Sequence, residues 1–139
     1  MNAAPALAPD AAIVLGIASA AVPFACTPKD AAERWLRVLR LHGQAGATLQ
    51  ALGVSEGPLG PPDEREREHA PASGEGDRDD AVARVLEHAI RRADARGADG
   101  VATPDVLMAV MDVYGADFDR VLRAHGTDRD EVIERLGAA

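Results

Sequence analysis

The sequence predicts an all-α fold made of two similar halves, and three observations predict it. First, helix-start and helix-stop signals recur at a nearly fixed offset. Thr27-Pro28 opens one segment and Thr103-Pro104 opens another 76 residues later (103 minus 27), while Gly53 and Gly126 close them 73 residues apart (126 minus 53). Start and stop signals at matched spacing mark an internal repeat. Second, 47% of the residues are hydrophobic but only 3% are aromatic. The core must therefore be built of Ala, Val, Leu and Ile, small side chains that suit closely packed helices better than a β-sandwich. Third, apolar residues in the second half fall at helical spacing. The expected architecture is one domain of seven or eight helices in two pseudo-symmetric four-helix repeats, residues 11–54 and 81–136, joined by a flexible linker over 55–80.

In chain order, Ala11 to about Ala21 predicts a first helix carrying Ile13, Val14 and Ile17, apolar enough to be read as buried. Thr27 and Pro28 open a longer second helix that holds Trp35, Leu36, Val38 and Leu39 and closes at Gly43. Ala45 to Leu52 predicts a short third helix ended by Gly53. A fourth could start at Ser55-Glu56, but Gly57-Pro58 and Gly60-Pro61-Pro62 break it. The stretch that follows is rich in Pro, Gly and charge and offers almost nothing to bury beyond a transient helix over Asp63 to His69. After Asp79-Asp80, Val82, Val85, Leu86, Ala89, Ile90 and Ala93 form one face of a helix opposite Arg84, Glu87, Arg91 and Arg92, with Gly97 as its stop. Thr103 is expected to cap the next helix, with Pro104 at its first position and Asp105 near the positive end of the dipole. That helix carries Val106, Leu107, Val110 and Met111. A turn at Gly115 leads to a helix burying Phe118, Val121 and Leu122, and Thr127 opens the last one, with Val132, Ile133 and Leu136.

Composition excludes several function classes. A net charge of -8 and a pI near 4.9 oppose binding to phosphate backbones, so no nucleic acid is expected as a partner. Arg34, Arg37 and Arg40 are the nearest thing to a basic stripe, and their spacing reads as the wet face of a helix. A single cysteine, Cys26, allows no intrachain disulfide, and the cytosol is the expected compartment. The apolar stretch from Ala11 to Cys26 follows a start that holds no Lys or Arg, unlike a signal peptide, and Gly16 and Pro23 interrupt it short of a bilayer span, so no membrane association is expected. His42, His69, His88 and His125 lack ligand spacing, and no metal or cofactor is expected. His42 and His125 each precede a glycine, where partial positive charge would complement a helix dipole. Ser19, Ser55 and Ser73 lie in no nucleophile-elbow frame, and Cys26 reads as a small buried thiol. The dispersed acids, among them Asp112, Asp119 and Asp128, read as a solvated face.

The order Val85-Leu86-Glu87-His88-Ala89, then Thr103-Pro104-Asp105-Val106-Leu107-Met108-Ala109-Val110-Met111, then Val121-Leu122-Arg123-Ala124-His125-Gly126-Thr127-Asp128 resembles the Clp repeat domain at the N-terminus of Clp-family AAA+ unfoldases. The resemblance covers 81–136 well and 11–54 weakly, and it rests on the order and spacing of the motifs together. It implies an all-helical, pseudo-twofold domain that docks substrates or adaptors for an ATPase module. No Gly-x-x-x-x-Gly-Lys-Ser/Thr phosphate loop is present, so the chain reads as a non-catalytic binding domain, either stand-alone and complete at Ala139 or a fragment from which the motor was cut. Some family members read phosphorylated arginine with a glutamate after the Thr of each helix start. Pro28 and Pro104 stand there instead, so that ligand is not carried over. The resemblance implies as partners a protein or peptide, such as a Clp ATPase or its substrates, or a small hydrophobic ligand. Trp35, Phe24, Leu107 and Met111 are the candidates for lining a groove between the repeats. For Trp35 core packing is the first reading and groove lining its functional alternative, and a small-molecule-binding or catalytic protein of a biosynthetic pathway built on the same fold is the competing function.

Overall fold

The computed structural model describes residues 6–25, 27–54 and 75–138. Among them are seven α-helices: α1 (Pro9–Ala21), α2 (Pro28–Arg40), α3 (Gly43–Ala51), α4 (Glu75–Ala95), α5 (Thr103–Tyr114), α6 (Ala116–Ala124) and α7 (Arg129–Ala138). A 3-10 turn over Val22–Phe24 continues α1. The predicted helices are thus present. Cys26, Ser55, His69, Ser73 and the candidate fourth helix of the first half lie outside the described residues.

Three departures at helix starts have clear physical causes. α2 begins as expected, with Pro28 at its first position and the Thr27 hydroxyl accepting the Asp30 amide at 3.0 Å. α5 does not. Thr103 is its first helical residue and Pro104 its second, because the Thr103 hydroxyl is engaged elsewhere, accepting the buried Ala45 amide at 3.1 Å. The cap position falls to Ala102, whose amide donates to Asp105 Oδ2 at 2.9 Å. Pro104 still sits among the first four residues, whose amides have no acceptor within the helix. At α7 the cap is Asp128, which accepts the Glu131 amide at 2.8 Å, rather than Thr127, whose buried hydroxyl has no hydrogen-bond partner. α4 starts at Glu75, inside the stretch read as linker, since a polar segment continuous with an apolar-faced helix needs no hydrophobic period of its own.

The ends of α3 and α6 match bond for bond. Val54 N donates to Leu49 O at 3.0 Å and Gly53 N to Gln50 O at 3.0 Å; Thr127 N donates to Leu122 O at 3.1 Å and Gly126 N to Arg123 O at 3.0 Å. Both glycines have φ of 89°. This is the left-handed cap that satisfies the last carbonyls of a helix, and glycine reaches it without a Cβ penalty.

α2 and α5 occupy the centre. α2 packs on α1, α3, α5 and α6, and α5 touches every other helix of the described set. Trp35, Leu36 and Leu39 of α2, Leu49 of α3, Val85 and Ala89 of α4, Leu107 and Met111 of α5, and Phe118 and Leu122 of α6 join one hydrophobic cluster. The outer layer is less closed than expected. α1 buries Ala11, Val14, Leu15 and Ala18 but leaves Ile13 and Ile17 nearly half exposed, so it covers the core with one side only. Ahead of it, β1 (Ala6–Leu7) pairs in parallel with β2 (Gly100–Val101), Ala6 opposite Gly100 and Leu7 opposite Val101. This two-residue clasp ties the entry to α1 to the α4–α5 connection; it is too short to carry a periodic signal in sequence.

A candidate binding cleft beside the start of α5

The four residues expected to line a groove do not form one. Trp35 and Leu107 are fully buried and Met111 is 1% exposed, so they offer no surface to a ligand. They sit on the two central helices, which are covered on both sides. Phe24 is 72% exposed and stands apart from them on the turn after α1. The Trp35 indole donates to Tyr114 Oη at 3.0 Å, joining α2 to the end of α5. Burial pushes the Tyr114 phenol above its usual range, with the indole hydrogen bond and the Arg84 charge pulling the other way.

A cleft of about 710 Å³ opens instead where the end of α4, the start of α5 and the side of α7 meet, with Gln44 of α3 at its margin. Its apolar lining includes Ala95, Ala102, Pro104, Met108, Ile133 and Leu136, and its charged lining is Arg92, Arg96 and Asp105. Each side chain is held by local rules. Asp105 falls at the third position of α5, where a carboxylate can turn back to an unsatisfied amide. Its other engagement is a fork to Arg96, whose Nε lies 2.9 Å from Asp105 Oδ1 and whose Nη2 meets Oδ2. Asp105 is 4% exposed while half of the Arg96 side chain faces solvent, so the guanidinium closes over the carboxylate and turns its outer edge to the cleft. The Asp105 hydrogen bond raises the Arg96 pKa, with burial acting slightly against it.

Asp112, outside the cleft, holds the other guanidinium that lines it, Arg92. Its two oxygens take Arg92 Nη1 of α4 and Arg129 Nη2 of α7, each at 3.3 Å, so one carboxylate spans two helices. Asp119 accepts the Arg129 amide at 3.1 Å. These acids are connectors between elements, not the merely solvated face that their scatter in sequence suggested. Next in the chain to the cleft residues Gln44 and Pro104, the Thr103 bond to Ala45 brings the starts of α5 and α3 together.

An open cleft with an aliphatic floor and two guanidinium groups at its edge is suited to apolar side chains accompanied by an acidic group. It holds no nucleophile paired with a base, and among the described residues no three His, Cys, Asp or Glu side chains converge. Its one sequence signal was Asp105 behind Thr103-Pro104; Arg96, nine residues earlier in a turn, carried none. No helix among the described residues is long and apolar enough to cross a membrane. Comparison of the chain with protein-family models, with curated proteins and with solved structures gave no match in any of the three.

Proposed function

We propose that this protein is a non-catalytic binding module of the Clp N-terminal type, two pseudo-symmetric four-helix repeats that dock a polypeptide. The observation that carries this reading is the open cleft at the start of α5, with its apolar floor of Met108, Ile133 and Leu136 and its rim of Arg92 and Arg96. Support for the repeat comes from the matched caps at Gly53 and Gly126 and from the Thr-Pro starts of α2 and α5. The partner is a Clp ATPase or one of its substrates, engaged through an apolar segment flanked by Asp or Glu. A second reading has one specific support: about 710 Å³ falls within the size range of small-molecule sites, which fits a module that sequesters a small hydrophobic ligand.

The test is a titration with a permanently unfolded acidic polypeptide, followed by amide chemical shifts. Shifts are expected at Ala102, Asp105, Met108 and Ile133 and are expected to vanish in Met108→Glu. Binding that leaves these amides unmoved, or that Met108→Glu does not weaken, sinks the reading. Copurification with a Clp ATPase separates an accessory partner from a sequestering one, since the latter has no need to touch the machine.

A further inference from the structure

We propose that the cleft beside the start of α5 reads the end of a polypeptide, holding an aliphatic C-terminal residue by its side chain and its free carboxylate together. The inference rests on the docking role proposed above and narrows it to one kind of chain end. Charge is the first observation. Arg92 and Arg96 line the cleft one turn apart on α4, each with a third or more of its side chain exposed. Asp105 serves Arg96, while Asp112 serves Arg92 and Arg129 at once. Three guanidinium groups thus share two carboxylates, in a chain whose net charge is -8. Arg92 brings the surplus positive charge to the cleft.

Donors remain as well as charge. A guanidinium carries five N–H bonds. The hydrogen bonds of Arg96 use Nε and Nη2, on Asp105 and on Gly100 O, and that of Arg92 uses Nη1. Arg96 Nη1 and Arg92 Nε and Nη2 have no partner among the described residues, so both groups can take a further carboxylate without giving up the bonds that hold them.

Shape selects the chain end. Met108 lies one turn along α5 from Asp105, and Ile133 and Leu136 lie one turn apart on α7. All three pack on the core with part of their surface left open. Apolar surface and cationic edge are therefore neighbours, and a C-terminal Leu, Ile or Val answers both from a single Cα. An internal Asp or Glu spends its own side chain on the carboxylate, and in an extended chain its two neighbours point to the opposite face. A chain running through the cleft also brings a row of backbone N–H and C=O groups to be paired. The lining offers these little, since the Ala102 amide is taken by Asp105 and Gln44 is the one side-chain amide. Acidic residues upstream of the end add attraction at long range but no anchor.

Three acetylated hexapeptides test this on the full chain, followed through the amide shifts of Ala102, Asp105 and Met108. One ends in two leucines with a free carboxylate, one is the same sequence as its C-terminal carboxamide, and one is a carboxamide with an aspartate between leucines inside it. The free acid is expected to bind about tenfold more tightly than either carboxamide, an advantage that shrinks as salt rises. Arg92→Gln is expected to bind acid and carboxamide alike, and Asp112 keeps Arg129 in that variant. Should Arg92→Gln fail to fold, the acid-to-carboxamide ratio of the wild type and its salt dependence decide alone. Equal binding of acid and carboxamide overturns the chain-end inference and leaves polypeptide docking standing, as does an internal-aspartate peptide that equals the free acid. An undiminished preference for the acid in Arg92→Gln overturns it too. Octanoate bound as tightly as the free acid overturns it in favour of a small-molecule site. If none of the peptides moves these amides the inference falls, and the unfolded acidic polypeptide then decides docking by itself.

Discussion

His125 shows how a single residue can have the right place and the wrong charge. It stands just before Gly126 and caps α6, where an imidazolium would complement the helix dipole. The histidine is instead half-buried, and burial holds its pKa below the usual 6.5, with Glu33 raising it and Arg37 and Arg40 lowering it. Those three residues belong to α2, far away in the sequence, which is why the sequence pointed to a cation. The linkage sign follows from the depressed value. Below pH 6.5 the unfolded chain binds a proton that the folded chain resists, so this residue's contribution is fully present above that pH and is lost as pH falls through the folded value. Urea midpoints at pH 7.5 and about pH 5 are expected to differ less in His125→Gln than in the wild type. An equal difference in both would mean that His125 is solvated.

At the scale of the element, the contact between the starts of α3 and α5 sets Gly43 apart from the other positive-φ glycines. Gly43 and Gly53 both adopt positive φ, 62° and 89°. A Cβ at Gly53 would meet nothing within 4 Å, so Gly53→Ala is expected to cost about 1 kcal/mol of backbone strain. A Cβ at Gly43 would lie 2.6 Å from Thr103 Oγ1 and 2.9 Å from its Cγ2. The same substitution there must also push the Thr103 hydroxyl off the Ala45 amide and leave a buried donor unpaired, adding roughly 1–3 kcal/mol. Chemical denaturation of the two variants checks the order; equal losses would show that the α3–α5 contact yields without cost. This contact also marks where the sequence stopped being legible. Apolar spacing and the Thr, Pro and Gly signals are local, and they located the helices α1 to α7 to within a few residues, apart from the start of α4. The role of Thr103 was decided by an amide 58 residues away, so a sound local rule assigned it the wrong bond. Arg96 was invisible for the same reason, because its partner Asp105 reaches it only across the α4–α5 turn.

For the molecule as a whole, the question is whether the helices before and after residues 55–74 behave as one body. Trp35 lies in the first half on α2 and Tyr114 in the second on α5, and the hydrogen bond between them crosses the seam. Around it the hydrophobic cluster runs without a break from Val14 of α1 to Val132 of α7. The same centrality decides between the two roles that spacing left to Trp35 in favour of core packing, and it removes Leu107 and Met111 from the groove. Periodicity tells which face of a helix is apolar but not whether a second layer covers it. A shared core predicts one cooperative transition. Tryptophan fluorescence, which reports only on Trp35, and far-UV circular dichroism, which reports on all helices, are expected to give the same urea midpoint. Tyr114→Phe removes the acceptor while the indole stays fully buried, and should cost about 1–3 kcal/mol. Because the bond joins the halves, that loss should move both signals together. If the halves were separate units, fluorescence would shift while part of the helical signal kept its wild-type midpoint, and the unbroken core would then be a contact surface between two folding units.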